Sequence, residues 1–286
     1  LQTNLDMDFS VDRFKLMGWD FSHGTCQFTF RNGVMRWDAI TICGGGGTLD
    51  GSVEYNLLNF SDRILTITLS RSEVDVTWAI PGMQKTKTLT GTLNITGIIS
   101  SRFSSIKQLG NNMRGTFETM VTKGVIRKFT VLSKILSMIN IVQLAHLNVP
   151  DLFDKGMPYD EITASFSLAN GIMKTENLMV RSPAMNLSAV GDIDLRTDAV
   201  DLIVGTQVLT AISNVIGTIP FAGELITGKD KTLTVGYFHV KGPYNNASVK
   251  PMPLKSLSGP VLKVLKSLRD IPRDLLTSKP DNATTQ

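Results

Sequence analysis

Alternating apolar and polar residues flank one apolar helical segment between Gly115 and Leu195, and this pattern constrains the fold most. The outer pieces, 115–129 and 158–195, alternate with the period of a strand. Each contains a central glycine, Gly124 or Gly171, at which we predict a hairpin turn. Successive side chains of a strand point to opposite faces, so these strands have one apolar face and one polar face.

The same hairpin pattern recurs along the chain. Asn32-Gly33 is a favoured hairpin turn, because both residues tolerate positive φ. Gly33 lies nine residues after Gly24, as Gly124 lies nine residues after Gly115. Similar hairpins at similar spacing predict one sheet of about a dozen strands or more, built by repetition.

Three segments have helical spacing. They are 129–147, where apolar residues recur at steps of three and four, a weaker stretch at 206–228, and an amphipathic stretch at 254–276 whose polar side is basic. A globular core and a lipid surface are both possible environments for the first of them. The last seven residues, 280–286, are predicted to be a disordered tail.

Motifs for catalysis are absent from the sequence. It contains no G-x-S-x-G, H-E-x-x-H, C-x-x-C or Walker pattern. The run Gly44–Gly47 lacks the Lys-Ser/Thr of a phosphate-binding loop and is predicted to be a flexible turn. Three scattered histidines and two cysteines cannot form a structural zinc site. We therefore predict a protein that is not an enzyme and has no cofactor and no metal.

Composition supports a β-rich protein with neutral polar faces. Charged residues make up only 19% of the chain, below the usual quarter. The net charge of +4 is too small to indicate nucleic acid, so no nucleic-acid partner is predicted. Whether Cys26 and Cys43 form a disulfide stays open, although the predicted hairpin register disfavours it. The chain begins with Leu rather than Met, and we expect it to be a piece of a longer protein.

The predicted strands are too many for three helices to cover, since each strand adds about 4.8 Å to the width of a sheet. A closed barrel, a sandwich and a curled sheet filled by another molecule are the solutions. We favour a mostly β fold: an elongated, twisted, curled antiparallel sheet, a β-groove or half-pipe of repeated hairpins, with a few amphipathic helices. An apolar inner wall in water would forfeit about 25 cal/mol per Å², so we expect lipid acyl chains to fill it.

Several motifs carry a family resemblance over most of residues 115–250. They are G-T-F-x-T-x-x-x-K-G-V-I-x-x-F, K-G-M-P-Y-D-E-I, S-P-A-M-N-L-S-A-V-G-D-I-D-L and V-K-G-P-Y. These segments resemble the C-terminal region of the AsmA-like family, near its YhdP and TamB group. The resemblance implies a β-groove that conducts phospholipid between the inner and outer membranes of a Gram-negative-type envelope. It also implies a periplasmic location, with an inner-membrane anchor in an N-terminal segment that this sequence does not contain.

The resemblance and the alternation together predict three regions. Residues 1–114 are groove repeats, 115–250 are the AsmA-like C-terminal groove with inserted helices, and 251–286 are an amphipathic basic helix and the tail. Candidate lipid-contacting residues in the groove are Phe28, Phe30, Leu93, Ile95, Phe117, Val121, Phe166 and Leu168. Candidate contacts of the helices with a membrane are Leu132, Leu136, Ile139, Lys263, Lys266, Arg269 and Arg273.

The predicted partners are phospholipid acyl chains, a membrane surface at the outer-membrane end, and an envelope protein. Lys263, Lys266, Arg269 and Arg273 suit anionic head groups, although an ordinary solvated helix face has the same composition. The alternative function is a non-enzymatic assembly or structural factor that binds outer-membrane proteins through the sheet. A carbohydrate-binding sandwich is a third possibility, but three Trp and four Tyr supply few aromatic platforms.

Overall fold

A computed structural model describes residues 4–16, 19–58, 62–79, 86–127, 130–138, 156–209, 233–253 and 256–257 of the chain. The strands are β1 Leu5–Leu16, β2 Trp19–Arg31, β3 Val34–Gly44, β4 Gly47–Asn56, β5 Arg63–Asp75, β6 Thr92–Phe103, β7 Met113–Ile126, β8 Met157–Ala169, β9 Ile172–Arg181, β10 Met185–Asp194, β11 Ala199–Leu209, β12 Leu233–Pro243 and β13 Ser248–Pro251. The helices in these ranges are α1 Val76–Ala79, α2 Ile106–Asn111 and α3 Thr130–Met138.

All 13 strands belong to one sheet, and their order in the sheet is their order in the chain. Every described pairing is antiparallel, and β1 and β13 are the two edges of the sheet. The prediction of a mostly β, open antiparallel sheet of repeated hairpins with few helices is confirmed. The sheet continues across the predicted boundary at position 114, because β6 pairs with β7. The division of the chain into three regions stays a prediction.

Two of the three predicted glycine turns are confirmed, and one is wrong. Gly33 and Gly171 have φ of +74° and +76° in two-residue hairpin turns. Gly124 is not in a turn, since β7 continues through it to Ile126, which pairs with Met157 of β8. The preceding Lys123 has a φ of +55° and no partner in the register, so it produces an irregularity inside a strand rather than a reversal of the chain.

The sheet has one apolar face, which we call the groove face. It carries, for example, Phe28, Ile67, Phe117 and Phe166. Their cross-strand partners and the residues two positions before and after them along the strands lie on the same face. The opposite face, called the polar face, carries charged and hydroxyl side chains. Ion pairs across it include Arg31 with Asp6, Arg36 with Glu54 and Arg181 with Glu161.

The connections between strands differ in length at the two ends of the strands. At one end, called the turn rim, the connections are 32–33, 57–62, 104–112, 170–171, 195–198 and 244–247. At the other end, called the helix rim, the connections include 76–91, 127–156 and 210–232, the three longest. In a sheet whose strands follow chain order, alternate connections always share an end, so the long inserted segments all start and finish at the helix rim.

Two apolar clusters form the core on the groove face. The first lies toward the helix rim and contains Val74, Val76, Leu93, Val121, Leu132, Met157, Tyr159, Val180 and Met185. The second lies at the β13 end of the sheet and contains Val131, Ile135, Ala189, Val204, Phe238, Val240, Ala247 and Val249. Both clusters include residues of α3, so this helix covers the groove face between them.

Candidate functional site

A continuous row of apolar residues crosses the groove face, with one residue from each of the first ten strands. Each member is the cross-strand partner of the next, so the row runs perpendicular to the strands. We call it the apolar band; its members are Met7, Phe28, Trp37, Val53, Ile67, Ile99, Gly115, Leu168, Met173 and Ile193, from β1 to β10. Nine spacings of about 4.8 Å make the band about 43 Å long.

The apolar band does not belong to either core cluster. None of its members from Met7 to Ile193 is part of them, whereas the next residue in the row, Val200 of β11, packs against the second cluster. Most members are half-buried, whereas Phe28 and Leu168 are buried and Met7 is exposed. The band is therefore apolar surface that the described core leaves partly open, and it ends where the α3-covered cluster begins.

Exposure of the groove face is greatest at β1. Leu5, Met7, Phe9 and Val11 alternate along this edge strand, and each is between 37% and 45% exposed. Their neighbours on the polar face are Asp6, Asp8, Ser10 and Asp12. Large apolar side chains in such a row are unusual on a protein surface and indicate a binding surface.

Ring contacts show that the sheet curls toward the groove face. Tyr55 of β4 and Phe103 of β6 stack with their ring centroids 6.1 Å apart, although β5 lies between these strands. On a flat sheet, positions two strands apart would be separated by about 9.6 Å. The two side chains converge above β5, as they do on the inner side of a curled sheet.

The helix α3 closes the groove face at the β13 end. Ile135 is 2% exposed within the second cluster, and Leu132 packs into the first. Lys134 Nζ donates to the Ala247 carbonyl at 2.7 Å and to Asn246 Oδ1 at 3.1 Å, which ties the helix to the β12–β13 turn. Of the candidate membrane contacts, Leu132 is therefore a core residue in this structure.

Aromatic side chains pack at the helix rim beside the first strands. The Trp78 ring lies 5.4 Å from that of Phe21, and Trp19 Nε1 donates to the Trp78 carbonyl at 2.8 Å. The glycine run turns the chain beneath this ring: a Cβ on Gly45 would lie 2.5 Å from Trp78 Cδ2. The predicted turn is present, and its glycines make room for Trp78.

All eight candidate groove residues lie on the groove face, but in different surroundings. Leu93 and Val121 are buried in the first cluster. Phe28 and Leu168 belong to the apolar band. Phe117 and Phe166 stack with centroids 5.1 Å apart, one row from the band. Phe30 and Ile95 are half-buried on either side of it, and contact of any of these residues with lipid stays a prediction.

Several candidate membrane contacts lie outside the described residues. They are Ile139, Lys263, Lys266, Arg269 and Arg273, and for Leu136 only the backbone in α3 is described. The segments predicted as helices at 206–228 and 254–276 lie largely outside them too. The described strand ends place the first of these connections at the helix rim, because Leu209 pairs with Leu233.

The polar face carries charge pairs and two open indentations. One, of about 540 Å³, is lined mainly by hydroxyl and charged residues such as Thr116, Glu118 and Lys174. The other, of about 420 Å³, includes Asp201 and His239. Hydrogen bonds from Lys241 and from His239 lower the pKa of the Asp201 carboxyl, so the site favours the ionised form.

Ionisable groups near the core are few. Burial raises the pKa of Tyr159 to about 12, and its hydroxyl donates to the Thr90 carbonyl. Burial also raises the pKa of the Cys26 thiol. Cys26 and Cys43 are both free, since Cys43 pairs with His23, three residues from Cys26 along β2. Among the described residues, no three His, Cys, Asp or Glu side chains lie together as a metal site.

Sequence reasoning missed the central members of the band and one charged residue. Trp37, Val53 and Ile67 complete the band but were not among the candidates. Arg63 also lies on the groove face, at the turn rim. Arg63 lies two and four residues before Leu65 and Ile67 in a predicted strand, and this spacing is the signal that could have placed it on the same face.

None of the helices in the described ranges is long and apolar enough to cross a membrane. A comparison with family models matches residues 2–249 to the family described as YhdP protein. Searches of curated proteins and of solved structures give no significant match.

Proposed function

Because this chain belongs to the YhdP family, we propose that it is part of a lipid-conducting groove of the bacterial envelope, in which phospholipid acyl chains lie on the apolar band. The observation that carries the proposal is the band itself, about 43 Å of partly open apolar surface on the inner side of a curled sheet. Family membership and the large curled sheet fit an envelope protein of the lipid-transport type.

The dimensions of the band suit several acyl chains. One chain spans about half of the ~30 Å hydrocarbon core of a bilayer, or about 15 Å. The band is nearly three times as long, so lipids could follow one another along it from the β1 edge. The covered second cluster marks the other end, where α3 occupies the groove face. The proposal also places the protein in the periplasm, where phospholipid would move between the two membranes. It includes no catalytic step.

Site-specific photo-crosslinking tests the proposal. A photoreactive amino acid at Ile67, on the band, should crosslink to labelled phospholipid when the protein is expressed in a Gram-negative bacterium. The same residue at Thr68, next along β5 and on the polar face, is the matched control. Equal labelling at the two positions, or no lipid at Ile67, would rule out the band as a lipid path.

The β1 edge favours a second function, assembly of another envelope protein through strand addition. β1 has 12 residues, and in the described structure its only strand partner is β2. A long, regular edge strand offers unpaired N–H and C=O groups to an extended segment. An affinity pull-down dominated by one outer-membrane protein, together with a lipid-free band, would favour this function over lipid conduction.

A further inference from the structure

A cation, Arg63, lies on the groove face. Arg63 begins β5 at the turn rim, and its cross-strand partner is Phe103, which places its side chain on the same face as Leu65 and Ile67. Among strand residues with a cross-strand partner in the described sheet, Arg63 is the only charged one on this face. A charged side chain in an otherwise apolar surface needs a specific explanation.

The guanidinium of Arg63 has hydrogen-bonding capacity to spare. Nη2 donates to the Ser104 carbonyl, and Nη1 lies 3.5 Å from the Tyr55 hydroxyl. Nε is buried and has no hydrogen-bond partner in the structure. Of the five N–H donors of the guanidinium, one on each Nη nitrogen also has no partner among the described residues and is left for a ligand.

The charge of Arg63 is also not neutralised by the described residues. Its sequence neighbour Asp62 pairs with Arg102, whose side chain lies on the polar face. In place of a carboxylate, the guanidinium has the ring of Phe103, whose centroid lies 5.3 Å from Cζ. A half-buried cation against an aromatic ring has lost part of its hydration and favours an anion.

The position of Arg63 relates it to the apolar band. Four residues of extended strand separate it from Ile67, which corresponds to about 13 Å. That distance is close to the ~15 Å that one acyl chain spans in a bilayer leaflet. A molecule with an anionic group at Arg63 would therefore place its acyl chains on the band.

We propose that Arg63 binds the phosphate group of an amphiphile whose acyl chains lie on the apolar band. A phosphate matches the planar fork of a guanidinium and accepts charge-assisted hydrogen bonds from it. The inference rests on the proposed function, since it takes acyl chains on the band as given. It adds to that function the residue that holds the lipid phosphate, Arg63 at the turn rim.

Calorimetric titration of the full chain with two short-chain lipids tests the proposal. Dihexanoyl phosphatidylglycerol, below its micelle concentration, is compared with dihexanoylglycerol, which has the same chains and no phosphate. Arg63→Gln should weaken binding of the phosphatidylglycerol about tenfold, which corresponds to the loss of one hydrogen-bonded charge, and leave binding of the diacylglycerol within about twofold. Arg63→Lys should recover part of the loss. Arg114→Gln removes an exposed arginine of the same rim from the polar face and should change neither affinity.

The outcomes separate this inference from the proposed function. Equal phosphatidylglycerol affinity in Arg63→Gln and the wild type would overturn the inference and leave the band intact as a lipid site. Equal weakening of both lipids would show that Arg63 supports the fold only. Inorganic phosphate that binds as tightly as the phosphatidylglycerol would identify a site for free phosphate. Failure of both lipids to bind the wild-type protein would overturn the proposed function and the inference together.

Discussion

The two sides of the groove face are made of the same strands and have different surroundings. Toward the helix rim, Val74, Leu93 and Val121 are buried beneath residues from long connections. Toward the turn rim, Trp37, Val53 and Ile67 have the same alternation and remain half-buried. The difference arises from connection length, because segments long enough to fold back over the sheet all begin at one rim. Alternation alone therefore does not distinguish buried core from open apolar surface; the lengths of the connections do.

The comparison predicts the largest loss of stability on the covered side. Ile135→Ala removes a side chain that is 2% exposed between α3 and the sheet, and the free energy of unfolding should fall by about 4 kcal/mol. Met138→Ala, on the same helix at a position that is 44% exposed, should change it by less than about 0.5 kcal/mol. Urea denaturation measures both. Similar small effects at the two positions would mean that α3 is not part of the core.

The glycine run beneath Trp78 gives the next largest effect. Gly45→Ala places a Cβ 2.5 Å from Trp78 Cδ2 at a φ of +58°, and we expect a loss of about 3 kcal/mol. Gly46→Ala has a φ of +75° and no atom within 4 Å of the new Cβ, so only backbone strain of about 1 kcal/mol remains. Thermal denaturation compares the two variants. Equal losses would show that the Trp78 contact does not fix the turn.

On the open side, an isoleucine-to-alanine substitution should lower stability less than Ile135→Ala does and should weaken lipid binding more. Ile67→Ala, in the apolar band, should lower the free energy of unfolding by about 1.5 kcal/mol, because the side chain is only half-buried. A bound short-chain lipid should stabilise the wild type by mass action and the variant less. Melting temperatures with and without lipid measure this, with Thr68→Ala on the polar face as control. A loss as large as that for Ile135→Ala would make the band ordinary core.

Tyr159 gives a smaller, pH-dependent effect on the covered side. Its folded pKa of about 12 lies above the value of about 10 for an unperturbed phenol, so folding favours the protonated form. This contribution to stability is complete below pH 10 and is lost as the pH rises toward 12. Tyr159→Phe should cost about 1 kcal/mol at pH 8, through the lost hydrogen bond to the Thr90 carbonyl, and the gap to the wild type should narrow above pH 10.

Urea denaturation at a series of pH values between 8 and 12 measures that gap, with Tyr244→Phe, at a 56% exposed position, as the matched variant. A constant difference between Tyr159→Phe and the wild type across this range would show that the phenol does not titrate with folding.

The sequence predicted the sheet because strand alternation is a local property. The turns at Gly33 and Gly171 followed from the positive φ that Asn-Gly pairs tolerate. The turn predicted at Gly124 is wrong because the chain beyond this residue continues to pair with β8, and that pairing is not visible in local spacing. The positive φ at this point of β7 belongs to Lys123. The placement of all candidate groove residues on one face likewise follows from alternation.

The rest depended on contacts between distant segments. Nothing in the local spacing of 129–147 indicates that Ile135 packs on Val204 and Phe238 rather than on lipid. The four glycines suggested a flexible turn, and their contact with Trp78 joins residues about thirty positions apart in the chain. Arg63 was within reach of sequence reasoning, but its unpaired charge was not, because that depends on Asp62 pairing with Arg102 instead.

A sheet whose strands keep chain order has consequences for how such a groove can change in length. Each strand pairs only with the strands before and after it, so the energetics approach those of a one-dimensional stack of neighbouring units. A hairpin gained or lost within the sheet would change only the pairing at that point, and all other strands would keep their partners. A duplicated hairpin would extend the apolar band by two strands, or about 9.6 Å, and keep all long insertions at one rim. Groove length in this architecture can therefore vary through whole hairpins, without any change in the chemistry of the groove face.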